Sequence, residues 1–89
     1  MANHKDAIKR NKQNATRAAR NKHYRTKMRN QIKKLRAVIA EGDKDAASAL
    51  LPATVGVIQR VAAKGVIHRN QAARRVSRLN AAVKALVAG

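Results

Sequence analysis

Apolar residues first fall into a helical rhythm at Tyr24. Tyr24, Met28, Ile32, Leu35 and Ile39 recur at intervals of four, four, three and four. At the helical period they share an arc of about 80°, the pattern of one packed face. Before Tyr24 only Ile8 and scattered Ala residues are apolar. No Gly or Pro interrupts the chain from about Lys5 to Ala40, so one helix is predicted there. At a rise of about 1.5 Å its roughly 36 residues reach about 54 Å, longer than a small globule is wide. The expectation is a helix with a free N-terminal half and a docked C-terminal half. Residues 1–4 read as a loose end.

Glu41-Gly42-Asp43-Lys44-Asp45 reads as a stop and a restart. Gly42 suits a left-handed helix end, and Asp43 or Asp45 can accept from the free N–H groups of the next helix. That helix is predicted from about Lys44 to Lys64, with Ala47, Leu51, Thr54, Ile58 and Val61 on one stripe. Leu50, Val55, Val57 and Ala62 widen the face to about 160°. Pro52 removes one backbone hydrogen bond and pushes Leu51 away from helical angles. The stripe keeps its phase across Pro52, which favours a kinked single helix over two short ones. Gly56 projects opposite the stripe.

Lys64-Gly65 repeats the stop signal, a cation followed by Gly. A third helix is predicted from near His68–Asn70 to about Val87, with its stripe at Ala72, Val76, Leu79, Val83 and Leu86. Arg74 and Arg78 lie opposite that stripe and Arg75 at its flank. Short connections and one apolar face per helix predict an all-α, three-helix up-down-up bundle. Its long first helix projects beyond the bundle. The organisation is a single domain over 1–89, with 1–23 a basic extension and 24–89 the bundle. Leu35, Ile58 and Leu79 sit mid-stripe and are expected to meet.

Charge changes the picture of the first helix. The chain has 21 Lys and Arg against four acids, a net charge of +17 and a pI near 11.9. Such charge opposes compaction and favours polyanions, nucleic acid first and an anionic membrane second. Thirteen of the 21 basic residues lie between Lys5 and Arg36. Taking Lys5 as zero, Lys9 points to about 40°, Arg10 to about 140°, Arg25 to about 200°, Lys22 to about 260° and Lys12 to about 340°. A helix docked on one side of a polyanion needs charge on one face. A helix charged all round suits a cleft walled by phosphate. Free in solution, like charges at helical spacing repel and no apolar face repays ordering, so a disordered arm is expected there.

Composition narrows the alternatives. Eighty-nine residues support one small core without Cys to staple it. Tyr24 is the one aromatic residue, so stacking platforms for single-stranded nucleic acid are not expected. No apolar run approaches the roughly 18 residues of a membrane span. The basic N-terminal third shares Arg and a lack of acids with transit peptides, but it has no Ser before Ser48 and no apolar stripe.

No catalytic constellation is visible. His4, His23 and His68 have no carboxylate or Cys at ligand spacing, and Ser48 and Ser77 have no His–Asp arrangement. Turn and cap chemistry accounts for Glu41, Asp43 and Asp45. The chain therefore reads as a non-enzyme without cofactor, metal or small-molecule substrate. The second informative stretch is Ala62 to Arg75. There a tight turn would place free helix N–H groups beside Lys64, His68, Arg69 and Asn70, a phosphate-binding arrangement. Asn70 and Gln71 could reach sugar hydroxyls or base edges. The plainer reading is a helix cap with incidental charge.

Val66-Ile67-His68-Arg69-Asn70-x-Ala72-Ala73-Arg74, preceded by Ala62-Ala63-Lys64-Gly65, resembles the signature of the bacterial small-subunit ribosomal protein number twenty family. Met1-Ala2-Asn3, Lys9-Arg10, Ile32-Lys33-Lys34 and Glu41-Gly42-Asp43-Lys44 extend the resemblance over the whole chain. Pro52 and Gly56 are departures and bear on the straightness of the second helix. The resemblance implies a three-helix bundle whose first helix extends into folded 16S ribosomal RNA. It also implies contact with the 5′ domain and the long penultimate RNA helix, early binding during assembly, and no chemistry. The protein would then work as a monomer within the cytoplasmic ribosome. On the first helix the residues expected to contact RNA are Lys5, Lys9, Arg10, Lys12, Arg17, Arg20, Asn21, Lys22, Arg25, Lys27, Arg29 and Lys33. The turn and third helix add Lys64, His68, Arg69, Asn70, Arg74, Arg75 and Arg78.

Three functions compete. A structural RNA-binding protein explains charge all round the first helix, because double-helical RNA is read by shape and backbone. A DNA-compacting architectural protein shares the charge but would show a dimer face or an apolar wedge. A membrane-active protein would need an apolar face opposite the basic one, which residues 5–23 lack.

Overall fold

The computed structural model describes the backbone of residues 3–89 and the side chains from Lys9 onward. Three helices make up the fold: α1 over Asn3–Ala40, α2 over Lys44–Ala63 and α3 over Arg69–Ala88. The molecule measures 66 × 20 × 14 Å. Its length is that of α1, since 38 helical residues rise about 57 Å. α1 begins earlier than the expected Lys5, at Asn3, while Met1 and Ala2 lie outside the described residues.

Both turns are built by the same local device. α1 ends with Gly42 at φ 76°, α2 with Gly65 at φ 77°, conformations open to Gly without a steric penalty. At the first turn the Gly42 N–H donates to Ile39 O and the Asp43 N–H to Val38 O. At the second, the Gly65 N–H donates to Ala62 O and the Val66 N–H to Val61 O. This paired pattern satisfies carbonyls that the helix end leaves free. Asp43 then starts α2 at once, its Oδ1 accepting from the Ala46 N–H at 3.1 Å. Of the two acids expected as caps, Asp43 serves and Asp45 lies in the first turn.

α2 lies between α1 and α3 and packs on both, while α1 and α3 meet more sparingly. The core comprises Met28, Ile32 and Leu35 from α1, Ala47, Ile58 and Val61 from α2, and Ala72, Leu79 and Val83 from α3. Leu35, Ile58 and Leu79 share this cluster, as their mid-stripe positions predict. Tyr24, Ile39, Leu51, Val76 and Leu86, the remaining stripe residues, are half-buried at its edge. Thr54 is fully buried yet satisfied, its hydroxyl donating to Leu50 O and accepting from Gln31 Nε2.

Pro52 does not split α2, which runs unbroken through it. Pro52 and Ser48 are both exposed. The missing N–H would have met the Ser48 carbonyl, and water can reach that side of the helix. Two sequence expectations need correction. Val66 and Ile67, read as part of a charged binding turn, are buried. Val66 occupies the position after the Gly where the chain folds back, a place that packs on the helix it has just left. The expectation that no apolar run approaches a membrane span also fails, because α2 is long and apolar enough by length and composition to cross a membrane. The reason lies in its place as the middle helix. A helix packed on two sides carries apolar residues round most of its girth.

Candidate nucleic-acid interface

From Lys9 to Arg20 every side chain is exposed. Lys9, Arg10, Lys12, Arg17 and Arg20 thus stand clear of the bundle, and Lys22 and Lys27 continue them on the surface. Asn21 is half-buried. Lys5 lies outside the described side chains. Beyond the intrahelical bond from the Thr16 hydroxyl to Lys12 O at 2.9 Å, local helix geometry alone organises this segment. Four acids cannot neutralise 21 basic residues, so most of these cations are left to external anions.

The bundle end of α1 is tied to the α2–α3 turn. The Lys64 ammonium stands 4.9 Å from the centroid of the Tyr24 ring, and the His23 ring meets the same ring edge-on at 5.4 Å. Arg25 Nη2 donates to Val66 O at 3.4 Å. Two of the predicted contact residues therefore brace the turn. His68 does the same for α3: its Nδ1 accepts from the Asn70 N–H at 3.1 Å. The helix cap weighed against a phosphate site is thus present, and one of the N–H groups expected to be free is taken. Nε2 of His68 and the side chains of Arg69 and Asn70 remain exposed.

Arg69 also lines a broad depression of about 660 Å³ between α2 and α3, whose walls include Ala62, Ala63, Ala72 and Ala73. Small side chains there allow another backbone to come close. Arg74 and Arg78 are exposed on the outer side of α3 and join none of these groupings. Arg29, Lys33 and Arg75 are brought together across the α1–α3 junction, in two depressions of about 220 Å³ each. Arg36 and Gln71 line the same depressions and were not among the residues expected from sequence. A signal for Arg36 was present. Arg25, Arg29, Lys33 and Arg36 recur at four, four and three, one residue behind the apolar stripe.

An all-helical bundle carrying a cationic arm, with no group of residues able to hold a metal ion among those described, defines a small basic protein suited to polyanions. A sequence model of the family described as Ribosomal protein S20 matches residues 2–84, and the chain belongs to that family. It is 51% identical over 83 residues to small ribosomal subunit protein bS20 of Nitratidesulfovibrio vulgaris (strain Miyazaki F), covering 93% of this chain and 95% of the relative. The bS20 of Oleidesulfovibrio alaskensis is 49% identical over the same shares. That of Desulfatibacillum aliphaticivorans is 45% identical over 86 residues, 97% of this chain and 98% of the relative. The family is one of small-subunit ribosomal proteins and not of enzymes.

Proposed function

We propose that this chain is a structural component of the small ribosomal subunit that binds 16S ribosomal RNA directly and helps to fold and stabilise it during assembly. The observation that carries this reading is the run from Lys9 to Arg20, a helical segment exposed on every side and charged in every direction. Such a segment gains nothing from its own protein. Surrounded by RNA, each cation releases counterions from a phosphate it neutralises, whichever way it points. The bundle supplies the anchor, and the braced turn at Lys64 to Asn70 supplies a fixed set of polar groups beside it. Residues 1–23 act as the RNA-embedded extension and 24–89 as the folded domain. The RNA segments engaged are those the family resemblance implies, the 5′ domain and the long penultimate helix, in the cytoplasmic ribosome.

The test is the fate of tagged protein in a cell extract washed with salt. Co-sedimentation with small ribosomal subunits through the wash is expected. Release from subunits and recovery with DNA or membrane would refute the reading.

A further inference from the structure

Arg75 is the one described side chain with a buried nitrogen that has no partner. Its Nε is sealed from solvent and donates to no acceptor among the described residues. The side chain reaches the junction of α1 and α3, where it and Arg29 line both neighbouring depressions. Arg25 joins one of them, Lys33 and Arg36 the other. No carboxylate lines either. Five cations around a groove with a stranded donor is an unfavourable arrangement for a free protein, since buried polar groups normally find partners and like charges repel.

An anion resolves both costs. A phosphate oxygen can accept from Nε while a second accepts from the same guanidinium, the side-on bidentate geometry available to Arg and not to Lys. Along α1 the groove's cations step by about 6 Å for each four residues, so they track a chain of phosphates along the helix axis. We propose that the α1–α3 groove is a phosphodiester-binding site, with Arg75 as the bidentate anchor and Arg25, Arg29, Lys33 and Arg36 as its flanking charges. The site rests on the RNA-binding reading for its natural ligand, and it identifies where on the bundle a strand lies. Occupancy also staples α1 to α3, the two helices that meet most sparingly.

Two arms test it on the full chain. The first compares thermal melting in sodium phosphate and in sodium chloride at equal ionic strength. Wild type is expected to melt about 4–8 °C higher in phosphate near saturation. Arg75→Lys and Arg75→Met should lose most of that rise, and Lys84→Gln, a charge loss elsewhere on α3, should keep it. The melts in chloride show whether each variant folds, and having two variants leaves one to judge by. The second arm measures binding to a 16S ribosomal RNA fragment. Arg75→Lys should bind about tenfold more weakly with an unchanged salt slope, because the charge is kept and the fork is lost. A phosphate-linked rise that survives in both variants, or Arg75→Lys binding RNA as wild type does, overturns the site. If wild type shows no preference for its RNA, the ribosomal reading falls instead, and the phosphate arm still decides the groove.

Discussion

Lys64 caps α2 and places its ammonium over the ring of Tyr24 on α1, 4.9 Å from the centroid. The contact links the first residue of the α1 stripe to the turn that launches α3. A cation over an aromatic face at a surface site contributes about 0.5–1 kcal/mol. Tyr24→Leu and Lys64→Met, alone and together, are expected to show a coupling of that size in denaturant unfolding. Independent, additive effects would show that the two side chains merely lie near each other.

Leu79→Ala is expected to cost about 2–5 kcal/mol in unfolding free energy, because the side chain is buried in the shared core. A domain this small has little more than that in reserve. Val87→Ala, at an exposed position, should stay within about 0.5 kcal/mol of wild type. Similar losses at both positions would mean that the helix faces are assigned wrongly.

Two glycines should respond in opposite directions. Gly65 sits at φ 77° with open space where a Cβ would go. Gly65→Ala is therefore expected to lose about 1–2 kcal/mol through backbone strain alone. Gly56 lies inside α2, and a Cβ there meets the Arg60 guanidinium at an ordinary 3.5 Å. Gly56→Ala is expected to gain about 0.5–1 kcal/mol. Thermal melts of the two variants check the sign of each.

Much of this fold was legible as periodicity. Tyr24 to Ile39, Ala47 to Val61 and Ala72 to Leu86 mark the faces, and Gly42 and Gly65 mark the ends. Val66 and Ile67 escaped because their burial follows from the fold-back after Gly65, not from any repeat. α2 looked too short of apolar residues to span a membrane because its stripe was read as one face, whereas the bundle uses two. The convergence of Arg36, Gln71 and Arg75 depends on how α1 and α3 are rotated about their axes. Single-helix patterns carry no information on that. His68 was read for its outward chemistry, but its Nδ1 is committed to the Asn70 N–H.

Amide exchange on the free protein should divide α1 near its middle. Met28, Ile32 and Leu35 are buried, whereas Lys9 to Arg20 are exposed throughout. Protection is expected over 28–40, with none over 9–20, because helical hydrogen bonds without packing open readily. Slow exchange over 9–20 without RNA would contradict the proposed dependence of the arm on its partner.

The most direct measurement is a pair of salt titrations, on cognate ribosomal RNA and on a random duplex, for wild type, Arg17→Ala and Asn70→Ala. Arg17 stands on the exposed arm, so its loss should weaken binding to both RNAs and flatten the log K against log salt slope by about one contact's share. Asn70 is uncharged and fixed in the capped turn, so its loss should leave the slope unchanged. It should instead reduce the preference for cognate RNA by about 1 kcal/mol or more. An intact preference in Asn70→Ala, or a lost preference with undiminished total affinity in Arg17→Ala, would contradict the proposed division between arm and turn.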